Sequence, residues 1–345
     1  MPSSGKPRTS ILLTGPTGYI GGTILQHLLD HEDRATFDIT VLVRDYLKAE
    51  KLHQFGITPV IGSLQDTEKL AQLASQADIV IHAANADDLP AVKAILSGLK
   101  EKHEQSDDAG ILIHTSGTGF LVNLEGDTSI DPDIVYYDSK PEQLESLPVS
   151  RIHREVDLAI VAADTAGYIR AYIVCPSTIF NMASGPLVDS GIQNPHSVLI
   201  PWMIKNGIQR GQGGLLESGT NVWPLVDIDE VGDLYKLIFD AARADPLTPH
   251  GRAGYYFAEN GEYVQYEICL EIAKALFEHG KGRSPEPVSL TDQEFKNFFG
   301  GSRLGALNCR ARGERSRALG WRPKKGKAEL LASVEPEIQV ILAWP

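Results

Sequence analysis

The sequence is short of cysteine, of positive charge and of long apolar runs, and each shortage removes a class of protein. Its three cysteines, Cys175, Cys269 and Cys309, are far apart and lack metal-type spacing, which fits a reducing compartment better than a disulfide framework. Lysine and arginine total 32 against 45 aspartates and glutamates, a formal net charge of −13. A general nucleic-acid or anionic-membrane binder needs a positive field, so neither partner is expected, and small molecules are. No apolar stretch reaches the ~18 residues of a membrane helix. The polar opening MPSSGKPRTS runs straight into Ile11 to Leu13, without room for a signal-peptide core, so a cytoplasmic location is expected. None of the histidines His27, His31, His53, His82, His103 and His114 opens an H-E-x-x-H motif, and no metal site is expected.

What is present is alternation. From residue 10 to about 180, short apolar runs at 10–14, 38–43, 58–61, 78–83, 110–115 and 169–175 alternate with segments of helical spacing at 22–31, 67–75, 89–102 and 152–163. Repeated βα units of this kind predict an α/β fold, a doubly wound parallel Rossmann sheet over 1–180 with helices on both faces. Helix 152–163, IHREVDLAIVAA, is apolar almost all round in its second half, so one face is free to meet a second helix, including one from another subunit of a homodimer. After Pro176 the composition shifts. Residues 181–225 are rich in Gly, Pro, Asn and Ser and predict a loop-rich substrate lobe over 181–345, with a stretch near 225–262 returning to the core. A helix is expected at 263–279. Residues 303–327 then hold nine Lys or Arg against one Glu, a run that reads either as solvated surface or as the source of an arginine for an anionic substrate.

The run at 10–14 ends in Gly15, and Gly18 and Gly21 follow just before an apolar-periodic helix. A phosphate-binding turn needs one glycine for the bend, one for the approach of the pyrophosphate and one for helix–strand packing, with the helix N-terminus facing the phosphates. Strand, turn, helix and second strand occur here in that order, which makes dinucleotide binding the reading of this segment. The second strand ends Thr40-Val-Leu-Val43-Arg44-Asp45. An acid at its end would bind the ribose of NAD, whereas Val43 stands there with Arg44 next to it. A guanidinium suits the extra phosphate of NADP(H).

Together with Gly62-Ser-Leu64-Gln-Asp66, Ile81-His-Ala83-Ala84, His114-Thr115-Ser116-Gly, Pro176-Ser-Thr178-Ile179, Val226-Asp-Ile-Asp-Glu-Val and Leu319-Gly-Trp-Arg-Pro, this turn resembles the short-chain dehydrogenase/reductase superfamily. The resemblance is to its extended form, related to sugar-nucleotide epimerases and dihydroflavonol-type reductases. It implies that Gly15, Thr17, Gly18, Tyr19, Ile20, Arg44, Leu64, Ala83, Ala84, Thr115, His153, Pro176, Thr178 and Ile179 line the cofactor, with Asp66 near the adenine. It also implies that Ser116 binds the substrate oxygen. Phe180, Trp202 and Trp223 are candidate substrate contacts, although aromatics in a small lobe also serve as its core. Gly117-Thr-Gly119 is read as substrate access.

That superfamily transfers a proton through Tyr-x-x-x-Lys at the start of a helix. A literal match exists at Tyr136-Tyr137-Asp-Ser-Lys140, but Pro141 disfavours helix at Lys140. The competing register, counted back from Pro176, puts His153 at the lysine position and Val149 at the tyrosine position, and it is favoured. Val149 has no proton to give, so the donor is left open among His153, Tyr136, Tyr137 and water. His153 is a candidate catalytic acid because imidazole titrates near neutral pH. The leading expectation is an NADP(H)-dependent oxidoreductase of a small, fairly apolar carbonyl or imine. A non-redox isomerase or cyclase on the same scaffold and an NADP-binding redox sensor are the alternatives.

Overall fold

The computed structural model describes residues 8–122 and 133–343. The chain opens with β1 (Thr9–Thr14), α1 (Tyr19–Leu29), β2 (Phe37–Val43), α2 (Tyr46–Leu52), β3 (Thr58–Ile61), α3 (Thr67–Ser75), β4 (Ile79–His82), α4 (Leu89–Ser106) and β5 (Gly110–Thr115). It continues with β6 (Tyr136–Tyr137), α5 (Pro141–Glu145), α6 (Arg154–Thr165), β7 (Ile169–Pro176), β8 (Thr178–Phe180) and α7 (Pro186–Asp189). Next come α8 (Leu199–Arg210), β9 (Gly214–Leu215), β10 (Val222–Asp227), α9 (Ile228–Ala244), β11 (Tyr255–Ala258), β12 (Glu262–Val264) and α10 (Gln265–Glu278). The last elements are β13 (Val288–Ser289), α11 (Asp292–Phe299), β14 (Ala311–Arg312), α12 (Glu314–Ala318), α13 (Lys327–Ala332) and α14 (Val334–Ala343).

Seven strands form one parallel sheet in the order β11-β7-β5-β4-β1-β2-β3. Order reverses between β1 and β4, and ligands of such sheets bind outside the strand ends at this reversal. The central strands are buried on both faces, which explains their near-continuous Ile, Leu and Val. The expected core strands and helices are all present; α9 packs on α1, and β11 closes one edge of the sheet. The second helix beside α6 is α4 of the same chain.

The loop-rich segment 181–225 also carries α8, which buries Ile200, Met203 and Ile204 against α10 and α14 in the lobe's own core. One expectation needs correction. The basic run is for the most part neither free surface nor a reservoir of substrate-binding arginines, because most of its charges meet acids already built into the fold. Arg310 and Arg312 pair with Glu262, Arg317 with Glu259, Lys325 with Asp227 and Lys327 with Glu267. Backbone pairing of β14 with β6 and the burial of Trp321, whose indole donates to the Glu230 carbonyl, complete the attachment. The tail is a strap that fastens the lobe to the sheet.

Glu259 is a principal anchor of that strap. It is buried and accepts from the Gly313 amide at 2.9 Å and the Gly261 amide at 3.2 Å as well as from Arg317. Glu259→Ala strands these donors and is expected to lower stability by about 2–3 kcal/mol in urea unfolding. A loss under about 0.5 kcal/mol, the size of an ordinary surface substitution, would show that the strap does not depend on it.

Candidate functional site

The turn from β1 into α1 is shaped by what cannot fit. Gly15 has φ +74°, and a Cβ there would lie 2.6 Å from the Ala83 carbonyl oxygen; a Cβ on Gly21 would lie 2.1 Å from the Gly15 oxygen. Glycine is therefore required at both places. The first turn of α1 then faces open space beyond Gly18.

That space is a cleft of about 430 Å³ lined by Thr14, Gly15, Pro16, Thr17, Gly18, Val43, Arg44, Leu64, Ala83, Ala84 and Asn85, among others. Arg44 is exposed at its rim with no ion pair or hydrogen bond among the described residues. Asp45 is occupied as the cap of α2, accepting from the Lys48 amide at 3.1 Å, and Asp66 accepts from Ser63 rather than lining the cleft. The glycine cradle, the α1 N-terminus and the free guanidinium fit a dinucleotide phosphate chain.

Gly18, Ala83 and Ala84 also line a second space of about 720 Å³, so the cleft runs on toward the lobe. There it meets Tyr19, Ile20, His153, Pro176, Thr178 and Ile179 from the sheet side, and Leu199, Trp202, Trp223 and Tyr263 from the lobe. Gly117, Thr118 and Gly119 line it too, in keeping with their reading as substrate access.

Three sequence-predicted site residues are not in this cleft. Thr115 is buried on the other side of β5, where its hydroxyl meets the Tyr235 hydroxyl at 2.5 Å. Ser116 is buried and donates to Asp157 of α6 at 3.0 Å, so its hydroxyl is committed inward. The residue that reaches the cleft here is Gly117, one position on. Phe180 is fully buried in the lobe core.

The helix that carries the site begins at Arg154, so Val149 and His153 both stand ahead of it. Val149 is 59% exposed and lines neither space. Lys140 stands ahead of the short α5 with its ammonium 4.1 Å from the Tyr137 ring, and Tyr136 is buried in the β6–β14 pairing. Neither tyrosine lines the cleft.

His153 does. It holds a left-handed φ of +67°, unusual for a residue with a side chain, and one carboxylate secures it there. Asp87 Oδ1 accepts from the His153 backbone amide at 2.9 Å and from Nδ1 at 2.8 Å. With Nδ1–H committed to a carboxylate, Nε2 is left for the cleft, and a Cβ on Gly117 would be only 3.3 Å from it. A glycine at 117 thus gives the imidazole its room. Asp87 was not legible in the sequence, because the pairing spans 66 residues. A second histidine on the cleft wall, His196, is held likewise by Glu337 of α14 at 2.8 Å.

Under the cleft floor lies a buried polar layer. Thr14 meets His82 at 2.7 Å, His82 stacks on His114 with ring centroids 5.3 Å apart, and His114 lies 3.8 Å from Asp157. Burial pushes His82 down to about 4 and Asp157 up to about 7, with Ser116 and Arg154 opposing the rise of Asp157. Elsewhere His31, Glu32 and Asp240 come together, but Lys236 already pairs with both carboxylates, and the group does not line the cleft. No helix among the described residues is long and apolar enough to cross a membrane.

Residues 7–102 match the NmrA-like family model. The chain is 29% identical over 337 residues to a protein named Oxidase ucsJ from Acremonium sp, covering 91% of this chain and 92% of that one. In fold it is similar to dTDP-glucose 4,6-dehydratase from Bacillus anthracis, solved in complex with NAD, with TM-score 0.64, 16% identity and coverage of 97% and 98%. UDP-glucose 4-epimerase from Thermotoga maritima, solved with UDP-glucose, gives TM-score 0.65 at 13% identity, covering 97% of this chain and 100% of that one. The chain thus matches the NmrA-like model over residues 7–102 and shares the overall fold of these two enzymes over nearly all of its length.

The raised Asp157 carboxyl sets a pH dependence. Its value in the folded protein, about 7, exceeds the ordinary 3.8, so its contribution to stability is complete below 3.8 and is lost as pH rises through about 7. Asp157→Asn keeps the shape of the neutral acid. It is expected to raise stability above pH 7 by about 2–4 kcal/mol, an advantage that fades toward pH 4 in urea unfolding. A difference that does not vary with pH would contradict this assignment.

Proposed function

We propose that the chain is an NADP(H)-dependent oxidoreductase acting on a small, fairly apolar carbonyl or imine, with His153 as its proton-transfer group. The observation that carries this reading is the Asp87-held imidazole of His153 on the wall of the aromatic-lined space, which meets the dinucleotide cleft in a junction at Gly18, Ala83 and Ala84. When bound, the cofactor supplies or accepts hydride at that junction. Gly15, Gly18 and the α1 N-terminus would hold its phosphates, Arg44 its 2′-phosphate, and Pro176 to Ile179 would border its nicotinamide.

The rest is the work of the chain's own side chains. During reduction, His153 Nε2–H gives its proton to the substrate oxygen or nitrogen as the carbon gains hydride; during oxidation, the neutral nitrogen takes that proton back. Asp87 keeps the ring in the Nδ1–H tautomer, as a carboxylate does for a histidine base. Trp202, Trp223, Ile179 and Leu199 exclude water and favour an apolar substrate body. Ser116 takes no part, since Asp157 holds its hydroxyl. The name of the Acremonium relative, an oxidase, supports redox chemistry over a non-redox isomerase or cyclase. The open space of about 720 Å³ beside His153 speaks against a sensor without substrate.

NADPH consumption with a panel of aldehydes, ketones and imines, followed at 340 nm, tests the reading. His153→Gln is expected to lower kcat/KM by about 10²- to 10⁴-fold with NADPH affinity retained. Substrate turnover without net NADPH change would instead indicate non-redox chemistry. Arg44→Ala is expected to weaken NADPH binding by about tenfold or more, the scale of a charge-assisted phosphate contact, and to leave NADH binding little changed. Equal loss for both cofactors would remove the NADP preference.

A further inference from the structure

A further space of about 500 Å³ adjoins the substrate end of the cleft and shares Gly119, Ser302 and Leu304 with it, so the cleft continues beyond the position of His153. Two arginines stand on its wall. The charge of Arg303 is met by Glu217 and Asp292. Arg151 has no such counterpart. It is 5% exposed, its guanidinium donates to the Phe120 carbonyl at 3.2 Å, and no carboxylate pairs with it among the described residues.

A guanidinium carries five N–H donors and a charge it does not lose. One neutral carbonyl leaves most of that capacity unused; around the space Val122, Ile152 and Leu307 offer no side-chain acceptor, and Ser150 and Ser302 offer only neutral hydroxyls that carry no balancing charge. A buried cation without a partner is unfavourable until an anion meets it. Arg151 and His153 flank Ile152 on the segment that leads into α6, and they border adjoining parts of one continuous space.

We infer that the substrate of the oxidoreductase proposed above carries a carboxylate, which docks against Arg151 while the carbonyl or imine end reaches His153. The planar fork of a guanidinium matches a carboxylate bidentately, and one uncompensated positive charge matches one negative charge. A phosphomonoester, with nearly two charges, would be left in excess in these surroundings.

The inference rests on the oxidoreductase reading for its reacting end, but its test does not need turnover. Pairs of aryl- and alkylcarboxylates and their primary amides, for example 4-phenylbutanoate and 4-phenylbutanamide, are titrated calorimetrically into the full chain with and without NADPH. The carboxylates are expected to bind about tenfold or more tighter than their amides. Arg151→Gln should abolish the preference, and Arg151→Lys should keep part of it. NADPH affinity and the thermal midpoint confirm that both variants fold. Equal binding of acid and amide by the wild type, a preference that survives in Arg151→Gln, or no carboxylate binding by a chain that binds NADPH would each overturn the inference. A carboxylate preference in a chain that fails to bind NADPH would uphold it and would count against the cofactor reading instead.

Discussion

The site depends on one carboxylate oxygen. Asp87 Oδ1 takes both the backbone amide and the Nδ1 of His153 and so holds a non-glycine residue at φ +67° immediately before α6. That contact ties the segment after β4, whose Ala83 and Ala84 line the cofactor cleft, to the start of the helix that would carry proton-transfer chemistry. A left-handed side-chain residue costs about 1–3 kcal/mol unless its surroundings hold it, and two charge-assisted hydrogen bonds to one acid are such surroundings. The same contact selects the tautomer. Strain, orientation and tautomer of His153 therefore share one cause.

Around this centre the molecule separates two kinds of polar group. Those beneath the floor, His82, His114, Asp157 and Ser116, are buried and satisfy one another in part, and burial holds the histidines neutral. Those that face the cleft, Arg44, His153 and His196, are either free or held by acids from distant segments. The Rossmann scaffold supplies the floor, and the lobe supplies Trp202 and Trp223 above it. The basic tail keeps floor and lobe in register through its pairs with Glu259, Glu262 and Asp227.

Much of the fold was legible because its signals are local. The glycine spacing 15-18-21, the apolar strands and the helix after Arg151 depend on neighbours in sequence, and each appears where periodicity placed it to within a few residues. The residues that line the cleft beside the glycine turn were legible for the same reason. At the end of β5 the reading failed by one residue, because consecutive side chains leaving a strand face opposite ways. Thr115 and Ser116 are taken by Tyr235 and Asp157, and the lining of the cleft starts one residue later, at Gly117. Asp87, Glu337 and Arg151 left no mark in the sequence that could have singled them out, since their meaning arises from contacts and burial that only folding creates. The basic run misled because its acids lie elsewhere in the chain.

The state of His153 itself is the most direct measure of this account. Long-range ¹H–¹⁵N correlation spectra of histidine-labelled protein, with His153 assigned by its loss in His153→Gln, report which ring nitrogen carries the proton. The account predicts the Nδ1–H form when the ring is neutral, and an Nε2 resonance that shifts when NADP⁺ is added. An Nε2–H tautomer, or an Nε2 resonance indifferent to saturating NADP⁺, would contradict it.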